Sequence, residues 1–250
     1  MSSKTEKGKM QAVIMAGGYG TRLDSLTRDL PKPMVPVKGK PFLEHLLNLL
    51  KSWEITKILL CTGYLSQKIE DYFGDGSGFG LDITYSVEDR LTGTGGALKL
   101  AESHLAPEFL LVNGDTYLSI DYDNFIARFK QGNKMGIVAA YDNRLKKFKA
   151  NIALNQDKNV AAYSKNQVIP SMRYTDAGVQ IFRKDVLKLI PRDTVISLEN
   201  DIFPRLINRG ELGAYVTSER FYDIGTPDEL KTFEEALQKQ WISLPSRSFP

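Results

Sequence analysis

Cysteine and histidine are the scarcest reactive residues in this 250-residue chain, one and two copies respectively. A lone cysteine forms no disulfide framework within the chain. Cys61 stands in the apolar run "ILLCTG" and reads as a buried structural thiol. His45 and His104 fall within segments of helical period and read as structural, so no nucleophile–histidine pairing is in sight. Long apolar runs are missing too. The lysine-rich start "MSSKTEKGKM" leads into six apolar-rich residues, too few for a signal-peptide core or a membrane span, so a cytoplasmic protein is expected. Basic and acidic residues nearly balance. The 33 basic and 30 acidic residues are scattered along the chain, without the basic stripe that tracks a phosphate backbone, which excludes nucleic acid as the expected partner. No internal repeat or hexapeptide solenoid is visible.

What is there reads as α/β. The segments "QAVIMA", "KILLCTG", "LDITYSV" and "EFLLVNGD" are strand-like, several apolar on both faces. "PFLEHLLNLLKSW", "LSQKIEDYF" and "TGGALKLAESHL" between them carry helical spacing, and the alternation predicts a mainly parallel sheet covered by helices. After Asp121 the pattern loosens. "DYDNFIARFK" predicts a helix, "GIVAAYD" a strand, and "NIALNQDKNVAAYSK" a hairpin in a small lobe or sheet extension. "TDAGVQIF" and "ERFYDIG" predict strands, and "SLENDIFPRLINRG" and "TPDELKTFEEALQKQ" helices. Residues 10–240 are expected to form one catalytic domain, flanked by a flexible segment 1–9 and a tail 241–250.

The stretch "AGGYGTRLDSLTRDLPKPM" is the most informative. Glycines directly after a strand bring main-chain N–H groups against a phosphate or a base. The dinucleotide fingerprint fails, because Leu23 stands where its third glycine belongs. The Walker loop fails as well, with Arg22 and Leu23 at its closing positions. What remains is a glycine turn followed by Arg22 and, ten positions on, Lys32 between Pro31 and Pro33. Proline fixes its own φ and biases the residue before it to extended geometry, which mounts the Lys32 cation stiffly. Asp115 closes the apolar strand "FLLVNG" at the sheet edge where open α/β sheets bind ligands, and Asp223 follows "RFY". Two hard carboxylates suit Mg²⁺.

Together with "LTGTGGAL", "LVNGDTYL" and "FYDIGTPDEL", in this order and spacing, the stretch resembles the signature of the sugar-1-phosphate nucleotidyltransferases, the nucleoside-diphosphate-sugar pyrophosphorylases. The wording of the blocks is most similar to the D-glycero-D-manno-heptose 1-phosphate guanylyltransferases. The resemblance implies a three-layer α/β/α, Rossmann-like nucleotidyltransferase fold with a mixed, mainly parallel central sheet and a small sugar-binding lobe. It implies that Ala16, Gly17, Gly18, Gly20 and Thr21 hold the nucleotide, with Thr94, Gly95 and Gly96 on the base and ribose side. Arg22, Lys32 and Asp115 are the implied catalytic residues, and Asp115 and Asp223 the Mg²⁺ ligands. Thymidylyl members tend to have a glutamine in the "LTGTGGAL" block, and the glycine at position 96 points instead to a purine.

Related enzymes carry an aromatic and Glu-Lys before an Asn-containing strand, where this chain has "AAYSK" and "YTDAGV". Lys165 and Asp176 are the expected sugar-phosphate-binding residues, with Ser164 near the position of the usual Glu. A sugar other than glucose fits that departure. The reading is a metal-dependent transfer, NTP plus sugar 1-phosphate giving NDP-sugar plus pyrophosphate, with GTP and heptose or mannose 1-phosphate first, by a monomer or homo-oligomer. The alternatives are glucose or amino-sugar and muramic acid 1-phosphates with UTP, CTP or dTTP, or a catalytically silent nucleotide-sugar sensor. Loss of Arg22, Lys32 or either aspartate would favour the sensor, and none is lost.

Overall fold

The computed structural model describes residues 9–18, 20, 23, 28–167 and 169–242. Its strands, in chain order, are β1 (Gln11–Met15), β2 (Pro36–Val37), β3 (Lys40–Pro41), β4 (Lys57–Thr62), β5 (Asp82–Val87), β6 (Glu108–Asn113), β7 (Thr116–Leu118), β8 (Gly136–Asp142), β9 (Ile152–Leu154), β10 (Val160–Tyr163), β11 (Tyr174–Arg183), β12 (Leu212–Thr217) and β13 (Phe221–Asp223). The helices are α1 (Phe42–Ser52), α2 (Ser66–Phe73), α3 (Gly93–Leu100), α4 (Tyr122–Gln131), α5 (Phe203–Asn208) and α6 (Pro227–Gln238).

Nine strands form one mixed sheet. Strands β5, β4, β1 and β6 are parallel neighbours, and β11 runs antiparallel against β6. Strand β8 lies antiparallel on the other side of β11 and carries β12 parallel to itself. Alternate residues of β1 point to opposite faces, as the period of a strand requires. Ala12 and Ile14 enter one core with α1, α4 and α6, where Phe42, Phe125 and Phe233 are fully buried. Val13 enters the other, with Leu98 of α3 and Phe203 and Leu206 of α5. Two cores separated by one sheet make the three layers, and each fully buried Leu, Val or Phe contributes about 1.5–3 kcal/mol to holding them.

Strand β11 bends halfway. Its register against β8 slips between Asp176 and Gln180, and Gly178 has φ +73°. A side chain there would meet Thr116 Oγ1 at 2.9 Å and Asn113 Nδ2 at 3.0 Å, so glycine is required both by φ and by space. Beyond the bend, Tyr174 pairs with Ile152 of β9, which continues as the β9–β10 hairpin. The small lobe expected from the sequence is thus carried past the end of β6, beside the cleft.

Several elements differ from the sequence reading. "SLENDIFPRLINRG" is not one helix but a π-helical turn (Leu198–Ile202) followed by α5, with Pro204 in the first turn of α5, where its missing N–H needs no partner. Lys32 is not extended but opens a 3-10 turn (Lys32–Met34), closed by Met34 N–H donating to Pro31 O at 2.8 Å. Asp223 is the last residue of β13 rather than a position after it. The short antiparallel pair β7–β13 sets Thr116 against Asp223. No helix among the described residues is long and apolar enough to cross a membrane.

Candidate active site

The C-terminal ends of β1, β4 and β6 converge, and the chain leaving them keeps one further rung. Ala16 N–H donates to Cys61 O at 2.8 Å and Gly114 N–H to Met15 O at 2.9 Å. This rigid edge opens into a cleft of about 430 Å³, a size suited to a small ligand. Its lining includes Ala16, Gly17, Gly18, Gly20, Lys32, Thr94, Asp115 and Lys165, which the sequence reading had spread over 150 positions. A larger cavity of about 950 Å³ lies across α3, but the ends of β1, β4 and β6 and the Lys32 cluster are not among its lining residues.

The glycines of the first loop have different reasons to be glycine. A Cβ on Gly17 would stand 2.6 Å from Glu88 Oε1, whereas Gly18 faces open space and Gly20 has φ 65°. Thr21 and Arg22 lie outside the described residues.

Among the described residues of the cleft Lys32 is the buried cation, 8% exposed. Its Nζ donates to Asp115 Oδ2 at 2.5 Å and lies 3.9 Å from Asp223 Oδ1. Asp115 stays at the end of the β6 turn because its carbonyl accepts from Ile224 N–H at 3.1 Å, which ties it to the residue after Asp223. Burial raises the Asp223 carboxyl to about 6, the neighbouring Asp115 charge adds to that, and Lys32 together with the Gly225 N–H donated to Oδ1 opposes it. Two carboxylates crowded in this way resist holding two negative charges unless a cation is close.

Lys165 stands across the cleft, half-exposed, 3.1 Å from Glu199 Oε1. Glu199 comes from the π-helical turn and is 7% exposed. Thr94 Oγ1 and Ser197 Oγ each donate to its Oε2 at 2.8 Å. Burial pushes the Glu199 carboxyl up, but Lys165, Ser197, a backbone N–H and Thr94 outweigh it and hold the group below its ordinary range.

The sequence reading singled out neither Glu199 nor Glu88, nor Asn113, all of which line the cleft. Glu88 is fixed by Thr92, whose N–H and Oγ1–H donate to its Oε2 at 3.0 and 2.9 Å. The acidic position at the end of "TYSVE" was the available signal, and a solvated strand end is what it looks like in sequence.

Three expected site residues are employed differently. The N–H groups of Gly95 and Gly96 are directed at Ile196 O, at 2.9 and 3.4 Å, and so are not turned to the cleft. A Cβ on Gly96 would meet Thr92 and Thr194, and the residue borders the second cavity. Close packing explains both glycines. Asp176 sits at the bend of β11, accepting from Tyr163 Oη, Gly178 N–H and Gln180 Nε2 at 3.0–3.1 Å, and is not among the residues lining the cleft. Its carboxyl is raised, first by burial. Asp223 reaches the cleft through Lys32. Cys61 is buried, as expected, with its thiol pushed up to about 12 by burial and then by Glu88. His45 hydrogen-bonds Val37 O at 2.9 Å and packs on Phe233, a structural role.

The chain is similar to several known proteins. A protein from Mycobacterium tuberculosis named mannose-1-phosphate guanylyltransferase is 32% identical over 88% of the chain, which spans 62% of that protein's length. One from Aneurinibacillus thermoaerophilus named D-glycero-alpha-D-manno-heptose 1-phosphate guanylyltransferase is 31% identical over 92% of the chain and 99% of its own. The crystal structure of HddC from Yersinia pseudotuberculosis complexed with GMP-PN superposes with a TM-score of 0.77 at 30% identity, over 91% of this chain and 99% of that one. The nucleotidyl transferase family model matches residues 11–240, and the chain belongs to the nucleotidyl transferase family.

Proposed function

We propose that this protein is a sugar-1-phosphate guanylyltransferase that joins GTP and heptose or mannose 1-phosphate into a GDP-sugar and pyrophosphate. The product would be a precursor of cell-surface polysaccharide, made in the cytoplasm where nucleoside triphosphates are held. The observation that carries the reading is the Lys32–Asp115–Asp223 cluster at the mouth of a glycine loop.

In the reaction, an oxygen of the sugar phosphate attacks the α-phosphorus of GTP, and the bond from that phosphorus to the bridging oxygen of pyrophosphate breaks. No general base is needed, because the second pKa of a phosphate monoester is about 6 and the nucleophile is already ionised. The work left to the protein is alignment and charge stabilisation. Negative charge gathers on the α-phosphoryl oxygens in the transition state, and a preorganised, poorly solvated cation such as Lys32 is worth about 3–4 kcal/mol there, by analogy with an oxyanion-hole donor. The Gly17–Gly20 backbone and Arg22 would hold the triphosphate, and Lys165 the phosphate of the sugar.

Asp115 and Asp223 fit Mg²⁺. Among the described residues no group of three or more His, Cys, Asp or Glu is placed to hold a metal, but Mg²⁺ takes one or two carboxylates and completes its shell with phosphate oxygens and water. Burial first and the Asp115 charge second disfavour a charged Asp223, and a divalent cation would offset that. When bound, the ion supplies Lewis-acid neutralisation of the phosphates.

For the base, Glu88 supports guanine. A carboxylate only accepts, and the guanine edge offers N1–H and N2–H side by side, whereas adenine pairs a donor with an acceptor. The names of the two relatives and the GMP-PN in the HddC complex point the same way. The test is pyrophosphate release from GTP, ATP, UTP, CTP and dTTP against heptose, mannose, glucose and N-acetylglucosamine 1-phosphates, with and without Mg²⁺. Release is expected with GTP and the manno-configured sugars in the presence of Mg²⁺. Silence across all pairs would remove the catalytic reading in favour of the sensor.

A further inference from the structure

The two substrate halves of the cleft are joined through one buried carboxylate. Glu199 Oε1 lies 3.1 Å from Lys165 Nζ, and its Oε2 accepts from Thr94 Oγ1 at 2.8 Å. The Thr94 hydroxyl in turn accepts the Leu198 N–H at 2.9 Å, which fixes its direction. Thr94 belongs to the first turn of α3, where Gly93, Thr94 and Ala97 face the same cleft as the glycine loop. Lys165 stands in the loop after β10 with 47% of its side chain exposed, whereas the Glu199 side chain is only 9% exposed. The lysine is the exposed partner and the glutamate the buried, hydrogen-bonded one.

We propose that Glu199 is a positioning residue, which holds the Lys165 ammonium in the cleft for the sugar phosphate and, through Thr94, ties that position to the nucleotide-side helix α3. An ammonium has three protons, so one directed at Glu199 leaves two for a phosphate. A lysine stem released from this partner would lose its preferred rotamer, and ordering it again would weaken phosphate binding. The hydrogen bond from Thr94 makes the geometry common to both halves of the cleft. This inference rests on the assignment of Lys165 to the sugar phosphate made above.

The test is Glu199→Gln, in which the amide keeps the size and an oxygen for Thr94 but turns N–H donors toward the Lys165 ammonium. In pyrophosphate release, the KM for the sugar 1-phosphate is expected to rise about tenfold, with the KM for GTP within about twofold and kcat within about threefold. Thr94→Val should also raise the KM for the sugar 1-phosphate, and Thr94→Ser, which keeps the hydroxyl, should restore it. In a Lys165→Ala background, Glu199→Gln should add less than about twofold, since it acts through the missing lysine. Equal changes in both KM values, no change in either, or full additivity with Lys165→Ala would overturn the proposal. If Glu199→Gln does not fold, the Thr94→Val and Thr94→Ser pair decides. Calorimetric binding of inorganic phosphate to the wild type and the variants reads the same interaction without turnover. Failure of every substrate pair in the wild type would therefore be told apart from failure of this proposal. Loss of phosphate binding in Glu199→Gln supports it, and unchanged binding overturns it.

Discussion

Replacing Asp223 by Asn should make the metal-free protein more stable while abolishing pyrophosphate release. The carboxyl is raised from 3.8 to about 6, by burial first and by Asp115 second, so the folded state resists its ionisation. At about 1.4 kcal/mol per pKa unit the penalty is at most about 3 kcal/mol. The side chain is 32% exposed, and solvent screening brings the figure to about 1–2 kcal/mol. The sign follows from linkage. With the folded value above the unfolded one, the penalty is complete above pH 6, shrinks between pH 6 and pH 4, and is absent below 3.8, where both states keep the proton. Asn keeps the oxygen that accepts the Gly225 N–H, so the turn survives. Thermal melts in EDTA at pH 7.5 should show Asp223→Asn melting about 2–8 °C above the wild type for a chain of this size. At pH 3.5 the two should melt together. Added Mg²⁺ should stabilise only the wild type, by mass action. An Asn variant that melts at or below the wild type at pH 7.5 would refute the claim that this carboxylate is held under strain for a cation.

Lys32→Ala should lower kcat by about 10²–10³ while changing GTP affinity by less than about threefold, since the cation is assigned to charge that appears only in the transition state. Equal losses in stopped-flow turnover and equilibrium binding would make it a binding residue only. Gly17→Ala forces a Cβ to 2.6 Å from Glu88 Oε1 and should destabilise by about 1–3 kcal/mol in urea melts. Gly18→Ala enters open space and should leave the melt unchanged while weakening GTP binding, and a destabilised Gly18→Ala would contradict the loop geometry. Cys61, buried with its thiol pushed up to about 12, should resist iodoacetamide at pH 8 in the native protein and react only after unfolding, as read by mass spectrometry.

The parallel half of the sheet is legible because its strands are continuous apolar runs between segments of clear helical period, as in "ILLC" and "FLLV". Strand β12, "LGAYVT", escaped. It follows the turn at Gly210 and has Gly213 as its second residue, and its neighbour β8 lies some 75 positions earlier, so only tertiary pairing makes it a strand. Helix α3 and the turn that caps its glycines look alike whether the N–H groups serve a ligand or a carbonyl. The Ile196 carbonyl that takes them is a hundred positions away. Glu199 and Lys165 illustrate the same limit within the site. Each alone reads as a surface charge, the glutamate inside an ordinary amphipathic segment, and only the fold brings the two within 3.1 Å. Lys32, Asp115 and Asp223, by contrast, sit in blocks whose wording identifies a family, and the structure gathers all three.

The proposed reaction is transfer of the nucleotidyl group from GTP to a sugar phosphate at the Lys32 centre. Mannose 1-phosphate labelled with ¹⁸O in its phosphate, turned over with GTP and Mg²⁺ and followed by mass spectrometry, tests this directly. All of the label is predicted to appear in the GDP-sugar, with unlabelled pyrophosphate. Label in the pyrophosphate, or pyrophosphate released without any GDP-sugar, would contradict attack by the sugar phosphate on the α-phosphorus.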